Sequence, residues 1–142
     1  MSVRVFVAST IEQKQDFAEQ ALNAGLYNPG WMLSNELNNI RYDRMGEIAE
    51  ISLAAENQQP VGVAIYYPQM MRQSVRSVFP NRSVICFVSQ NQRRKGIGRR
   101  MLESFNVPLS EMKSWRGEEQ SSKFWINVGT NYRGYWDWSE SA

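Results

Sequence analysis

The sequence predicts a single α/β (α+β) domain with strands and helices in the order strand, helix, helix, two hairpin strands, buried strand, helix. Three observations carry that prediction. An almost unbroken apolar run, Ser83-Val84-Ile85-Cys86-Phe87-Val88-Ser89, reads as a strand covered on both faces. Shorter strand patterns flank two stretches with helical spacing, and no residue pattern repeats along the chain. At 142 residues, with 42% hydrophobic and 21% charged side chains, the chain has the composition of one ordinary globular domain spanning 1–142.

Val3 to Ala8 is β-branched and aromatic, and opens the chain as a strand. Ser9 and Thr10 follow, with Glu12 and Gln13 three residues after each, the pattern of a capping box. Phe17, Ala18, Ala21 and Leu22 then recur at helical spacing up to Gly25. Asn28-Pro29 starts a second helix, whose apolar stripe is Leu33, Leu37 and Ile40. Glu47 to Leu53 reads as a strand with Ala49, Ile51 and Leu53 on one face. Asn57 to Pro60 is the turn of a hairpin, and Val61 to Tyr67 its second strand, ended by Pro68. Gln69 to Arg82 shows no clean period and reads as a long loop or strand extension.

After the buried run come Gln90 to Lys95, polar and basic, and then Gly96-Ile97-Gly98. Ile97, Met101, Leu102 and Phe105 form the apolar stripe of a helix that Val107-Pro108 stops. Further on, Ser121 or Ser122 caps a segment through Phe124, Trp125 and Val128 that Gly129 closes. A helix is favoured there over a strand. The tail from Asn131 to Trp138 is aromatic and turn-rich. Trp115, Trp136 and Trp138, with Tyr132 and Tyr135, read as core and edge cover, with a partner-binding surface as the alternative.

Two absences narrow the chemistry. The chain has no histidine, which excludes imidazole bases and the catalytic triads and zinc sites built on them. It has one cysteine, Cys86, in the middle of the buried run, where core packing is the expected role. No apolar stretch reaches the ~18 residues of a membrane span, and the opening strand is too short for a secretory leader. A cytoplasmic protein without a membrane partner is the expectation. The net charge of +2 says little by itself, but its distribution is uneven.

Arg93, Arg94, Lys95 and Arg99 surround Gly96 and Gly98 directly after a buried strand. Unpaired N–H groups at a helix start, glycines and cations together suit a phosphate or pyrophosphate. The spacing fails the Walker pattern, because Gly98 is followed by Arg99-Arg100, and fails the dinucleotide fingerprint, because Met101 stands where a small residue is needed. The fit is to R-x-x-G-x-G, Arg93 to Gly98. In that segment the chain resembles the acyl-CoA loop of the GNAT superfamily of N-acetyltransferases. The resemblance covers the element order from about residue 3 to 106, and extends to Ser122 to Gly129, which is similar to the family's last helix. It departs at Gln90, where many members have proline, and at Trp125, where a tyrosine often protonates the leaving thiolate.

The resemblance implies a central mixed, mostly antiparallel twisted sheet with flanking helices and a shortened C-terminal part, without a full fifth strand before residue 121. It implies that acetyl-CoA is bound by Phe87, Val88, Arg93, Arg94, Lys95, Gly96, Ile97, Gly98, Arg99 and Ser122. A backbone N–H near Phe87 or Val88 would then polarise the thioester carbonyl. The acceptor is a primary amine of a small molecule or a protein, and no metal is required. Glu47 and Glu50, on the strand that borders the acceptor site in the family, are the candidate bases, and Tyr132 the candidate acid. Two further function classes stand beside the enzyme: a CoA-binding module with weak or no catalysis, and a nucleic-acid-binding protein that uses the basic loop. A homodimer is among the states open to the chain.

Overall fold

A computed structural model describes residues 2–27, 32–42, 48–72, 78–116 and 122–135. Strand β1 (Val3–Val7) leads into helix α1 (Ile11–Asn23). The capping box resolves to one register: Gln13 N–H donates to Thr10 Oγ1 at 3.1 Å, and Gln13 Oε1 accepts from Ser9 N–H at 2.8 Å. Helix α2 (Met32–Tyr42) buries Leu33, Leu37 and Ile40, as its stripe requires, and also Glu36. The expected start at Asn28-Pro29 lies outside the described residues.

The hairpin is shifted from its expected place. β2 (Glu50–Glu56) and β3 (Gln59–Tyr67) are joined by only two residues, Asn57 and Gln58, with φ of 51° and 67°. Positive φ at both central positions matches the twist of the flanking strands and makes the tight turn favourable. Gln59 and Pro60 therefore belong to β3. Pro60 is tolerated beside a bulge opposite Ala54/Ala55, where the ladder is already interrupted. The unpatterned segment after Pro68 forms a small antiparallel pair, β4 (Met71–Arg72) with β5 (Val78–Phe79), which returns Phe79 to the core.

β6 (Ser83–Val88) is buried at every position, and helix α3 (Ile97–Glu103) follows it. α3 ends before Val107-Pro108 because the chain turns out at Asn106, whose φ is 59°. β7 (Lys113–Arg116), α4 (Ser122–Val128) and β8 (Asn131–Tyr135) complete the fold. Two expectations are corrected here. A strand does form in the segment before residue 121, and part of the tail is a strand. The sheet is mixed, in the order β1-β2-β3-β6-β7-β8, antiparallel up to β6 and parallel from β6 to β8.

Each face of the sheet carries its own core. Ile51, Leu53, Val63, Ile65, Ile85 and Phe87 pack under α1 and α2. Ala64, Tyr66, Val84, Cys86 and Val88 pack under α3 and α4 with Met101, Leu102 and Trp125. Among the described residues no helix is long and apolar enough to cross a membrane.

The first core holds a polar pair. Tyr67, with its ring 5.0 Å from that of Phe79, donates its hydroxyl to the Glu36 carboxylate, and both are almost fully buried. Burial, and then the adjacent carboxylate, push the Tyr67 phenol well above its ordinary value. Burial pushes the Cys86 thiol up to about 12. Both groups hold their protons in the folded state at a pH where the unfolded chain releases them. Their contribution to stability is complete below the unfolded values, near 9 for the thiol and 10 for the phenol, and is lost as pH rises beyond them. Denaturant titrations from pH 7 to 11 are expected to show stability falling above pH 9. Tyr67→Phe should lower stability at pH 7 by about 1–3 kcal/mol, by taking a hydrogen bond from a buried carboxylate. Cys86 should resist alkylation in the native protein and react once it is unfolded; equal rates in both states would contradict the burial.

Candidate cofactor groove

β6 is fixed on one side and free on the other. It pairs with β3 from Tyr67↔Ser83 to Gly62↔Val88, and Ser89 N–H donates to Val61 O at 2.8 Å. In an antiparallel ladder the bonding direction alternates. Ser83, Ile85 and Phe87 therefore turn their N–H and C=O groups toward β3, and Val84, Cys86 and Val88 turn theirs toward β7. The parallel pairing with β7 is registered only at Ser83↔Lys113, where Lys113 N–H donates to Arg82 O at 2.7 Å. Beyond that point no further pair is in register, and Val88, whose N–H points away from β3, borders the opening. Of the two expected positions for a backbone donor, Val88 qualifies and Phe87 does not. The Phe87 side chain also lies in the core on the opposite face.

A groove of about 640 Å³ adjoins the end of β6. Of the expected binding residues, it collects Val88, Arg93, Arg94, Gly96, Ile97, Gly98 and Arg99. Its other wall is α4, which presents Lys123, Phe124, Asn127 and Val128. Ser122 starts α4 but does not line the groove, and Lys95 turns away to donate to Gln92 Oε1 at 3.1 Å.

The loop between β6 and α3 is held by side-chain bonds to backbone and neighbours. A 3₁₀ turn, Gln90–Gln92, begins it, so the Gln90 that stands in place of proline still enters a tight turn. Arg93 Nε donates to Val88 O at 2.8 Å, and its guanidinium lies 5.5 Å from the Phe87 ring centre. Gln92, 8% exposed, donates to Glu56 at 3.2 Å and so fastens the loop to the end of β2. Arg94 and Gly96 take φ of 66° and 76°, which brings the chain round to the first turn of α3. Arg99 donates to Asn127 O at 2.9 Å and joins α3 to α4.

The two glycines differ in what they leave open. A Cβ on Gly96 would meet nothing within 4 Å, so this position gives a ligand access to backbone. A Cβ on Gly98 would stand 2.7 Å from the Phe124 ring. Gly98 therefore serves the packing of α4 on α3, which corrects the expectation that both glycines open backbone to an anion.

The candidate catalytic groups are not gathered here. Glu47 lies outside the described residues. Glu50 pairs with Tyr66, and Tyr66 with Val84, four residues or about 13 Å along β6 from Val88. Tyr132 stands on β8 opposite Ser114 and packs against the second core. Trp125, which stands where the family often has a tyrosine, is 2% exposed in that core, edge-on to Phe124 at 4.9 Å, and does not line the groove. Sequence reasoning missed Gln92, Lys123, Phe124, Asn127 and Val128 as groove residues. Lys123 and Asn127 are four apart on the expected helix, a spacing that puts them on one face. Gln92 offers no such signal.

No protein-family model matches the chain, and no curated protein matches it in sequence. Solved structures do match. A possible acetyltransferase from Clostridium difficile 630 is 13% identical with a TM-score of 0.52, over 95% of this chain and 93% of the other. A predicted acetyltransferase from Clostridium acetobutylicum, solved with acetyl-CoA, is 12% identical with a TM-score of 0.45, over 89% and 86%. A putative GNAT-family acetyltransferase from Desulfovibrio desulfuricans is 14% identical with a TM-score of 0.46, over 73% of this chain and 64% of the other. With the six-stranded mixed sheet and four helices of its described residues, the chain has the fold of the GNAT acetyltransferases.

Proposed function

We propose that this chain is an acetyl-CoA-dependent N-acetyltransferase acting on a primary amine of a small molecule or a protein. One observation carries the reading: the outward N–H of Val88 and the open, left-handed Gly96 border one groove, beside four cationic side chains. Arg93, Arg94, Arg99 and Lys123 supply the charge that phosphates require, and the first N–H groups of α3 have no partner within the helix. Ile97, Phe124 and Val128 form an apolar wall suited to the thinner, uncharged arm of the cosubstrate.

Acetyl-CoA supplies an activated acyl group as a thioester. The chain's own part is to hold it and orient its carbonyl. A backbone donor aimed at that oxygen stabilises the charge that develops on it when an amine attacks. Positioning two bound reactants can contribute up to ~7–11 kcal/mol of the barrier, and needs no nucleophile from the protein.

The groove lining also favours a second reading, a CoA-binding protein with slow catalysis. Among the described residues that line the groove, none is acidic, tyrosine or cysteine. Water or the acceptor itself would then carry the protons. A thiolate with a free pKa of about 8.5 leaves without much help.

Binding and turnover separate the readings. Acetyl-CoA at 100 times its dissociation constant should raise unfolding stability by about 2.7 kcal/mol. Arg94→Glu should fold like the parent and lose that shift, because it reverses an exposed charge on the groove. Gly98→Asp should be less stable by about 1–3 kcal/mol even without acetyl-CoA, through collision with Phe124. No shift in the parent protein at millimolar acetyl-CoA would overturn the proposal.

A pH–rate profile on an amine panel tests the role of Trp125. Trp125→Phe should leave every ionisation in the profile in place, since indole has no accessible proton to give and the side chain is in the core. Loss of a limb in a well-folded variant would return Trp125 to the reaction.

A further inference from the structure

The two edges of the main sheet differ. β8 is bent by Gly134, with φ of 86°, and its register with β7 shifts between Ser114 and Arg116. β1 is regular, paired to β2 without a break from Val3↔Glu56 to Val7↔Ser52, and no strand lies beyond it among the described residues. Ala8 N–H donates to Ile51 O at 3.1 Å. By alternation Arg4 and Phe6 also bond toward β2, and Val3, Val5 and Val7 turn their N–H and C=O groups outward. A straight edge of this kind is a template for another strand. The strand contains no proline and no bulge, and Phe6 and Val7 are 45% and 38% exposed.

We propose that this edge is a homodimer interface, in which β1 pairs antiparallel with β1 of a second copy about a twofold axis at Val5. Val3-Arg4-Val5-Phe6-Val7 is complementary to itself in that register. The outward groups of Val5 meet those of Val5 in the second copy, and Val3 meets Val7 on either side. Arg4 and Phe6, which share the face toward α1, each stand opposite the other's counterpart. Two cation–π contacts form there, at positions where facing Cα atoms are about 4.5 Å apart. On the other face the three valines extend the layer in which Val3 and Val5 already pack on the second core, and they cover Val7.

The complementarity at all five positions is what selects a second copy over an unrelated strand. Arg100 donates to Val3 O at 2.9 Å, which leaves that carbonyl a second lone pair and leaves Val5 and Val7 untouched. Five paired residues make a small interface, so the dimer should dissociate on dilution.

Sedimentation velocity over a concentration series tests this, with circular dichroism as the control for folding. The parent protein should pass from monomer to dimer as concentration rises. Phe6→Arg, at an exposed position, sets like charges against Arg4 and should abolish the dimer. The double variant Arg4→Glu/Phe6→Arg replaces them with two opposite-charge pairs and should restore it. Val5→Cys, on the axis with Cα atoms about 5.5 Å apart, should give an oxidised covalent dimer, and Val3→Cys should not; Cys86 is buried and does not compete. A parent protein that stays monomeric at every concentration would overturn the proposal. So would a dimer that survives Phe6→Arg, or a Val3→Cys variant that cross-links as fast as Val5→Cys.

Discussion

The parting of β6 from β7 is the constraint on which the rest of the site depends. Two parallel strands that stayed paired would satisfy each other's backbone and leave no room between them. Here they are in register only at Ser83 and Lys113. Val88, at the far end of a strand buried at every position, then turns its N–H toward the groove rather than toward a registered partner. Buried backbone donors need partners. The Val88 N–H therefore stands at the groove, where the strand ladder ends. The unbroken pairing with β3 makes this tolerable, because it holds β6 straight without help from β7.

The loop after β6 is organised by the same strand end. Val88 turns its carbonyl as well as its N–H away from β3, and Arg93 takes the carbonyl. The first arginine of the basic run is thus committed in part to backbone, as Arg99 is to Asn127 O, while all three of Arg93, Arg94 and Arg99 border the groove. Gln92 anchors the loop to Glu56 and accepts from Lys95, which withdraws one cation from the groove. A basic run read from sequence as one uniform patch divides into side chains that build the loop and side chains that face the opening. A loop fixed beforehand in this way leaves less ordering for any ligand of the groove to impose.

What was legible in the sequence was whatever local rules decide. The buried run, the capping box at Thr10 and Gln13, the stripes of α1 and α2, and the glycine-closed segment 122–129 each carry a pattern within a few residues. The loop was legible because strand, cations and glycine follow one another directly. β7 and β8 were not. They are short, and Lys-Ser-Trp-Arg and Asn-Tyr-Arg-Gly-Tyr lack an alternation that distinguishes a strand from a turn. Parallel neighbours made across α4 are what turn them into strands, and that information is tertiary. The hairpin turn was displaced because Pro60 reads as a breaker, whereas the bulge beside it removes the penalty. The roles of Gly96 and Gly98 look alike in sequence and separate only when Phe124 is in place.

α3 shows why the site could not be read one element at a time. A seven-residue helix is far below the length at which a helix is stable alone, so its position is set by what it touches. Ile97, Met101 and Leu102 bury it in the second core. Its two adjacent arginines then reach in different directions: Arg99 to the Asn127 carbonyl of α4, and Arg100 to the Val3 carbonyl of β1. Each satisfies a carbonyl that helix or sheet leaves open. Between them they tie the short helix to the last helix and to the first strand. The N-terminal turn of α3, and with it the open backbone at Gly96, is therefore held by residues nearly a hundred positions apart in the chain. The groove is local in sequence, but its rigidity is a property of the whole fold.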